Sequence, residues 1–461
     1  MSKVSKIKKK KEFSSREGLK MERFGLLYPR SAGIDVGSML MVVSYTDRND
    51  MIHVREFNSF TQSLVELSEL LQGEGVEQVV MEATGEYWKT LYCILESHGI
   101  QVLMANPSHY RNVSAQKTDI NDAQWLHQLL AHGLIRSSHI ANELYRQLRR
   151  YVHERKTCQD LKSDTLNRIQ KTLTLMNIKF QHLISDIEGV AGMKILRAII
   201  SGVSKPETLL SLVGLNRLKA SPEDLMSSLE GDYQEHHIHI LASMMKAYDF
   251  HKSQMLEYEY YIEATLQKLV PVSDPDKALA VIGDKRVKAR KNEYHFNLSD
   301  YLESIFGVDL TAVDGLDEIG LLAILSVTGN DMRKWPTASH FASWLNLSPR
   351  PKISGGRKIG NEKRSTNNPA TQAFRLAANS LWQNKGPIGQ QYRKLAATKG
   401  AAKAIKAIAR KLAIIFYNMV LKKEAFDPKK IQQNLEIREA KRIARLLKDE
   451  ANMGYIIQKV A

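Results

Sequence analysis

Hydrophobic residues in the first third of the chain fall into short β-branched runs separated by longer helical stretches. The runs AGIDV, MLMVVSYTD, HVREFNSF, VEQVVME and IQVLMAN, between residues 32 and 106, have the composition of buried strands. Apolar residues at three- and four-residue steps predict helices over about 61–72, 86–98 and 119–132. From 140 to about 270 the pattern changes. ANELYRQLRRYVHERKTCQDLKSDTLNRIQKTL and MLEYEYYIEATLQKLV keep helical spacing with charges between, which predicts long helices able to pair as a coiled coil. The stretch 271–300 is polar, weakly periodic and reads as a linker or surface insertion. A second, mostly helical unit is expected over 301–425, followed by a charged helical tail at 426–461.

Three strands in close succession, then strand and helix in alternation, is the order of an RNase H-like α/β domain, expected here over 31–138. A helical coiled-coil region at 139–300 and a mainly α C-terminal domain complete the predicted architecture. Within the last, VDGLDEIGLLAILSVTG reads as a helix–hairpin–helix that contacts nucleic-acid backbone; a helix start capped at Asp314 accounts for the same residues.

Charge changes the picture. The 461 residues carry 66 Lys and Arg against 50 Asp and Glu, a formal +16, which points to a polyanionic partner. No apolar run approaches the ~20 residues that span a bilayer. The start MSKVSKIKKKKEF lacks the apolar core of a signal peptide, and residues 1–30 read as a basic arm. Cys93 and Cys158 both lie in helix-like sequence and suggest no disulfide framework. A nucleic-acid protein of a reducing, cytoplasmic compartment is expected.

Four acids stand out. Asp35 lies in the first strand beside Gly37, and Glu82 ends the run VEQVVME. Asp119 and Asp122 are three apart, so a helix puts them on one face. Carboxyl ends of strands in such a sheet converge on one crevice. Carboxylates gathered there call for a hard cation, magnesium or manganese. Singly, Asp35 is equally a turn residue, Glu82 an exposed strand end and Asp119 an N-cap; together they favour a metal site. Asp47 and Asp50 read as turn residues, and the histidines, His127 among them, lack zinc spacing.

The loop NLSPRPKISGGRKIGNEKRSTNNP is the second chemical centre. Gly355 and Gly356 let backbone amides approach a phosphate, and Lys352, Arg357, Lys358, Lys363 and Arg364 neutralise it. The Ser354 hydroxyl is either a nucleophile on a phosphodiester or a turn residue in a loop that only grips DNA.

Taken in order, GIDVG, VVMEATGEYW, KTDINDAQWLHQLL, DGLDEIGLLAILSVTG and PRPKISGGRKIG resemble the insertion-sequence 110 family of transposases, over about 31–425. The resemblance implies a RuvC-like DEDD domain in which Asp35, Glu82, Asp119 and Asp122 bind magnesium, and a C-terminal domain in which Ser354 is the nucleophile. It further implies exchange of double-stranded donor and target DNA, chosen by base pairing with a structured bridge RNA. A tetramer, with one protomer's metal site meeting another's serine loop, is implied as well. The basic arm and the 271–300 stretch depart from the family's pattern. A metal-dependent nuclease or junction resolvase, in which water attacks, is the alternative enzyme; a non-catalytic nucleic-acid scaffold is the alternative of another class.

Overall fold

The structure is a computed structural model describing residues 25–82, 85–105, 119–135, 140–214, 220–271, 292–349, 351–361 and 368–451. It has two compact units, one ending at Ile140 and the other beginning at Ala141.

The first unit is α/β. Its elements are β1 (Ser31–Val36), β2 (Leu40–Thr46), β3 (Ile52–Asn58), α1 (Thr61–Gly73), β4 (Gln78–Glu82), α2 (Trp88–Ser97), β5 (Gln101–Ala105) and α3 (Asp119–Ala131). The five strands form one mixed sheet in the order β3-β2-β1-β4-β5. β1, β2 and β3 pair antiparallel, whereas β4 and β5 join in parallel to β1. The β2–β3 turn is built by Asp47, whose carboxylate accepts from the amides of Asn49 and Met51 at 2.8 Å each. One sheet face buries Ile34, Val43, Val79 and Met81 against Leu64, Leu67 and Leu71 of α1 and Leu91 and Leu95 of α2. The other carries α3, whose Leu126 and Leu130 pack with Val80 and Ala105. Alternation along each strand sorts these residues to their faces.

The second unit is helical apart from one ribbon. It comprises α4 (Glu143–Leu175), α5 (Val190–Ile200), α6 (Pro206–Ser211), α7 (Pro222–Ser228), α8 (Glu235–Leu269), α9 (Leu298–Phe306), α10 (Glu318–Thr328) and α11 (Ala338–Trp344). The ribbon β6 (Pro351–Ser354) and β7 (Arg357–Asn361) follows, then α12 (Pro369–Ser380), α13 (Pro387–Lys399), α14 (Ala401–Lys422) and α15 (Pro428–Ala451). α4 and α8, of 33 and 35 residues, run antiparallel side by side. Arg155 meets Glu259, while further along Thr172 reaches Met244. At one end of the pair α5, α6 and α7 close a small core around Leu173, Ile195, Leu209 and Leu241. At the other, Leu148, Ile262 and Leu266 join a larger core with Phe306, Leu322, Phe341, Phe374 and Phe416.

Three expectations change here. The boundary at 300/301 does not separate two bodies, because the ends of the long helices share this core with α9–α14. The end of the 271–300 stretch is not a surface linker: Tyr294 and Phe296 are buried, and α9 already begins at Leu298. Residues 272–291 lie outside the described ones. The cap of α10 is Asp317, accepting from the Gly320 amide at 2.7 Å, rather than Asp314.

A buried ionic network fixes that strap. Arg155 Nε donates to Glu259 at 2.8 Å, its Nη2 donates to the Asn292 carbonyl at 3.1 Å, and its guanidinium lies 3.9 Å from the Tyr294 ring centroid. Glu259 also accepts from the His295 backbone amide at 3.1 Å, with the His295 ring 2.8 Å from the same oxygen. Only 3% and 1% of the Arg155 and Glu259 side chains are exposed, so removing one strands the other's charge in a dry interior. Glu259→Ala is expected to cost about 3–5 kcal/mol, whereas Arg155→Met with Glu259→Leu recovers most of it. Urea unfolding of the two variants checks this; a single-variant loss below about 1 kcal/mol contradicts it.

Candidate functional site

Register brings two of the predicted acids together. Ile34 pairs with Met81 across the parallel β1–β4 edge, so the next residues along, Asp35 and Glu82, stand level at the carboxyl ends of neighbouring strands. Alternation puts Asp35 on the face of Gly33, and Glu82 on the face of Val80. Both are therefore on the side covered by α3, where Val80 packs against Leu126. Both are half-buried.

α3 lies unusually close to β1 because of Gly33. A Cβ there would be 2.3 Å from the His127 nitrogen and 2.4 Å from the Ala123 carbonyl oxygen, so no other residue leaves room for the helix backbone. The amides of Leu27 and Tyr28, just before β1, bond the Ala131 carbonyl at the far end of α3. The helix thus runs opposite to β1, and its first turn covers the carboxyl end of the strand. Asp35 is ~7 Å along the strand from Gly33. Asp122 and Asp119 are ~4.5 and ~9 Å along the helix from the middle of the 123–127 contact. Asp35 accordingly stands at a level between them. Asp122 is half-buried; Asp119 is the first residue of α3, and its side chain lies outside the described ones.

His127 is the positioning residue that the sequence did not reveal. Its ring spans α3 and β2, with Nδ1 3.0 Å from Ser44 Oγ and Nε2 3.1 Å from Thr46 Oγ1. A neutral imidazole donates from one nitrogen and accepts at the other, so the two hydroxyls satisfy it fully. Burial pushes its pKa down to about 4. The folded pKa lies below the ordinary 6.5, so the unfolded chain binds the extra proton between those values. His127 therefore contributes fully above pH 6.5, and its contribution falls as pH drops toward 4, by about 3 kcal/mol in all. Hydrogen exchange of the β2 amides between pH 4.5 and 7 is expected to show this slope in the native chain and not in His127→Gln. Equal slopes would remove His127 from this role.

Among the described residues no group of three or more His, Cys, Asp or Glu side chains is arranged to hold a metal ion. Among the described residues, the carboxylates Asp35 and Glu82 on the sheet face and Asp122 on the covering helix are oxygen donors of the kind that suits a hard divalent cation.

The second predicted centre is a protruding ribbon. Ser354 pairs with Arg357, and the turn between them is Gly355 and Gly356, at φ +54° and +74°. Two successive positive φ values make a type I′ hairpin turn, which explains the glycine pair without reference to phosphate. Pro351 through Ile359 are exposed, so Lys352, Ser354, Arg357 and Lys358 all face solvent. Lys363 and Arg364 lie outside the described residues. Acids and serine belong to different units, the first ending at Ile140.

Both stretches have counterparts among known proteins. Residues 32–178, with the four acids, match a family model described as a transposase of the IS110 DEDD type. Residues 309–393, with the ribbon, match one described as transposase IS116/IS110/IS902 family. Together the two matches span about half of the chain. No curated protein matches it. The chain is a DNA transposase, an enzyme that recombines DNA. It belongs to the IS110 family. No helix among the described residues is long and apolar enough to cross a membrane.

Proposed function

We propose that this transposase cuts and exchanges double-stranded donor and target DNA by a serine mechanism, with its acids and its serine meeting at one phosphate. The observation that carries the reading is the pair of centres. One is an acid set at the ends of β1 and β4 under the first turn of α3; the other is an exposed serine at the tip of a cationic ribbon. The strand order, with three antiparallel strands and two parallel ones, supports an RNase H-like, RuvC-like domain.

Asp35, Glu82, Asp119 and Asp122 are the residues that would hold magnesium or manganese. Such an ion, when bound, neutralises the scissile phosphate and lowers the pKa of a hydroxyl brought to it. The Ser354 oxygen attacks phosphorus and loses its proton, and a seryl phosphodiester forms. The bond from phosphorus to the deoxyribose oxygen breaks, and that oxygen leaves as a hydroxyl. A hydroxyl of the other DNA then attacks the same phosphorus and releases serine, so no bond energy is lost. Lys352, Arg357 and Lys358 offset charge on the transition state. Because the acids and the serine lie in separate units, the reading joins them in an assembly of copies, a tetramer in which one protomer's acids meet another's ribbon. A bridge RNA encoded by the element selects both DNAs by pairing, and the basic balance of the chain suits two nucleic-acid partners. The α9–α10 segment, with its turn at Gly315, is read as a helix–hairpin–helix that grips backbone.

The test is a denaturing gel of wild-type protein with end-labelled DNA, followed by peptide mapping. A protein–DNA adduct on the peptide containing Ser354 is expected. Cut strands with no adduct would assign the attack to water and make the enzyme a metal-dependent nuclease or resolvase.

A further inference from the structure

We propose that the β6–β7 ribbon is also a wedge: Ile353 and Ile359 enter the DNA beside the phosphate that Ser354 attacks and unstack the base step there. This rests on the serine reading above and deepens it.

The pairing separates two sides of the ribbon. Ser354 is level with Arg357, and Ile353, one residue earlier, is level with Lys358 and so points to the opposite side. Register then slips, because Lys352 pairs with Gly360, two residues on. Ile359 is the extra residue of this bulge, so Lys358 and Ile359 together oppose Ile353. The ribbon thus carries its hydroxyl and a guanidinium on one side, and an isoleucine on the other.

Single exposed isoleucines are ordinary. These two are 65% and 69% exposed, yet both lie within six residues of the turn that bears the nucleophile. Neither belongs to the core of the helical unit. A two-stranded ribbon gains little stability alone, so apolar side chains spent on its surface are best understood through what they meet.

Charge selects the occupant. Residues 349–361 contain Arg350, Lys352, Arg357 and Lys358 and no acid. A second copy's ribbon would bring the same cations against these, whereas duplex DNA brings phosphates outside and apolar stacked bases within. Another copy's acids, set opposite Ser354 in the assembly, answer the cations and not the isoleucines. Apolar side chains set beside cations are the usual means of prising a base step open. An opened step kinks the strand and bares its phosphate on the side where Ser354 stands.

A duplex that the wild-type chain cleaves is scanned with 2-aminopurine, using full-length protein with its bridge RNA, and each signal is compared with that of the RNA and duplex without protein. Fluorescence is expected to rise at one step next to the cut. In Ile353→Ser with Ile359→Ser that rise is lost and cleavage falls about 10-fold or more, and a mismatch placed at the step restores cleavage. Ile353→Leu keeps both, and the circular dichroism of each variant reports folding. Ser354→Ala keeps the rise while losing cleavage. If it cleaves normally, the serine reading fails whatever the probe shows. An unchanged rise in the double serine variant overturns the wedge, as does no rise with the wild type. So does a double variant that loses self-association in light scattering, which would make a second copy the occupant.

Discussion

Ser354→Ala is expected to reduce strand cleavage by about 10⁴-fold or more, with no covalent adduct, while DNA binding stays near the wild-type level. The substitution removes one oxygen from an exposed position at the end of β6, where it packs against nothing in the core. The turn is held by Gly355 and Gly356 and the register by backbone pairing, so the ribbon keeps its shape. Affinity resides in the cations, whose contacts are sequence-independent and salt-dependent. The loss should therefore fall on turnover and not on affinity, as it does when a nucleophile is deleted from an otherwise intact site. Single-turnover cleavage at saturating protein, with binding followed over a salt series, measures both. A variant that cuts and joins within about 10-fold of wild type would leave Ser354 as a binding residue only.

Gly33→Ala is the second large effect, and it acts on structure. The added methyl would lie 2.3 Å from one backbone atom of α3 and 2.4 Å from another. Neither is the tip of a flexible side chain, so relief requires the helix to move. Movement stretches the His127 bonds to Ser44 and Thr46 and separates the first turn of α3 from Asp35. A loss of about 3 kcal/mol or more is expected from overpacking of this kind. A displacement of ~1 Å at the acids lowers activity about 100-fold. Gly73→Ala, with open space around it, is the matched control and should be nearly neutral. Equal stability of the two variants in urea would show that the close approach is not rigid.

Much of this was legible in the order of residues. Strand runs and helical stretches of the first unit announce themselves by period. The acids are visible because Asp35 and Glu82 stand at the ends of strand runs and Asp119 and Asp122 in the first turn of a helical one. Gly33, two residues before Asp35, is equally plain as a letter, but its purpose depends on a helix about 90 residues away. His127 reads as one more polar residue in a helix until its two hydroxyl partners on β2 are known. The network of Arg155, Glu259 and His295 joins three distant segments and leaves no local period, so the strap at 292–297 looked like linker. The glycine pair stands out by composition, whereas the conformation that requires it is seen only in the φ angles.

The long antiparallel pair has a consequence for how the chain can be altered. Since α4 leads away from the larger core and α8 leads back to it, the chain departs and returns at neighbouring points. Everything from the middle of α4 to the middle of α8 is a detour. The far lobe is thus an appendage that shortening or exchange would remove without rerouting the backbone that carries Ser354.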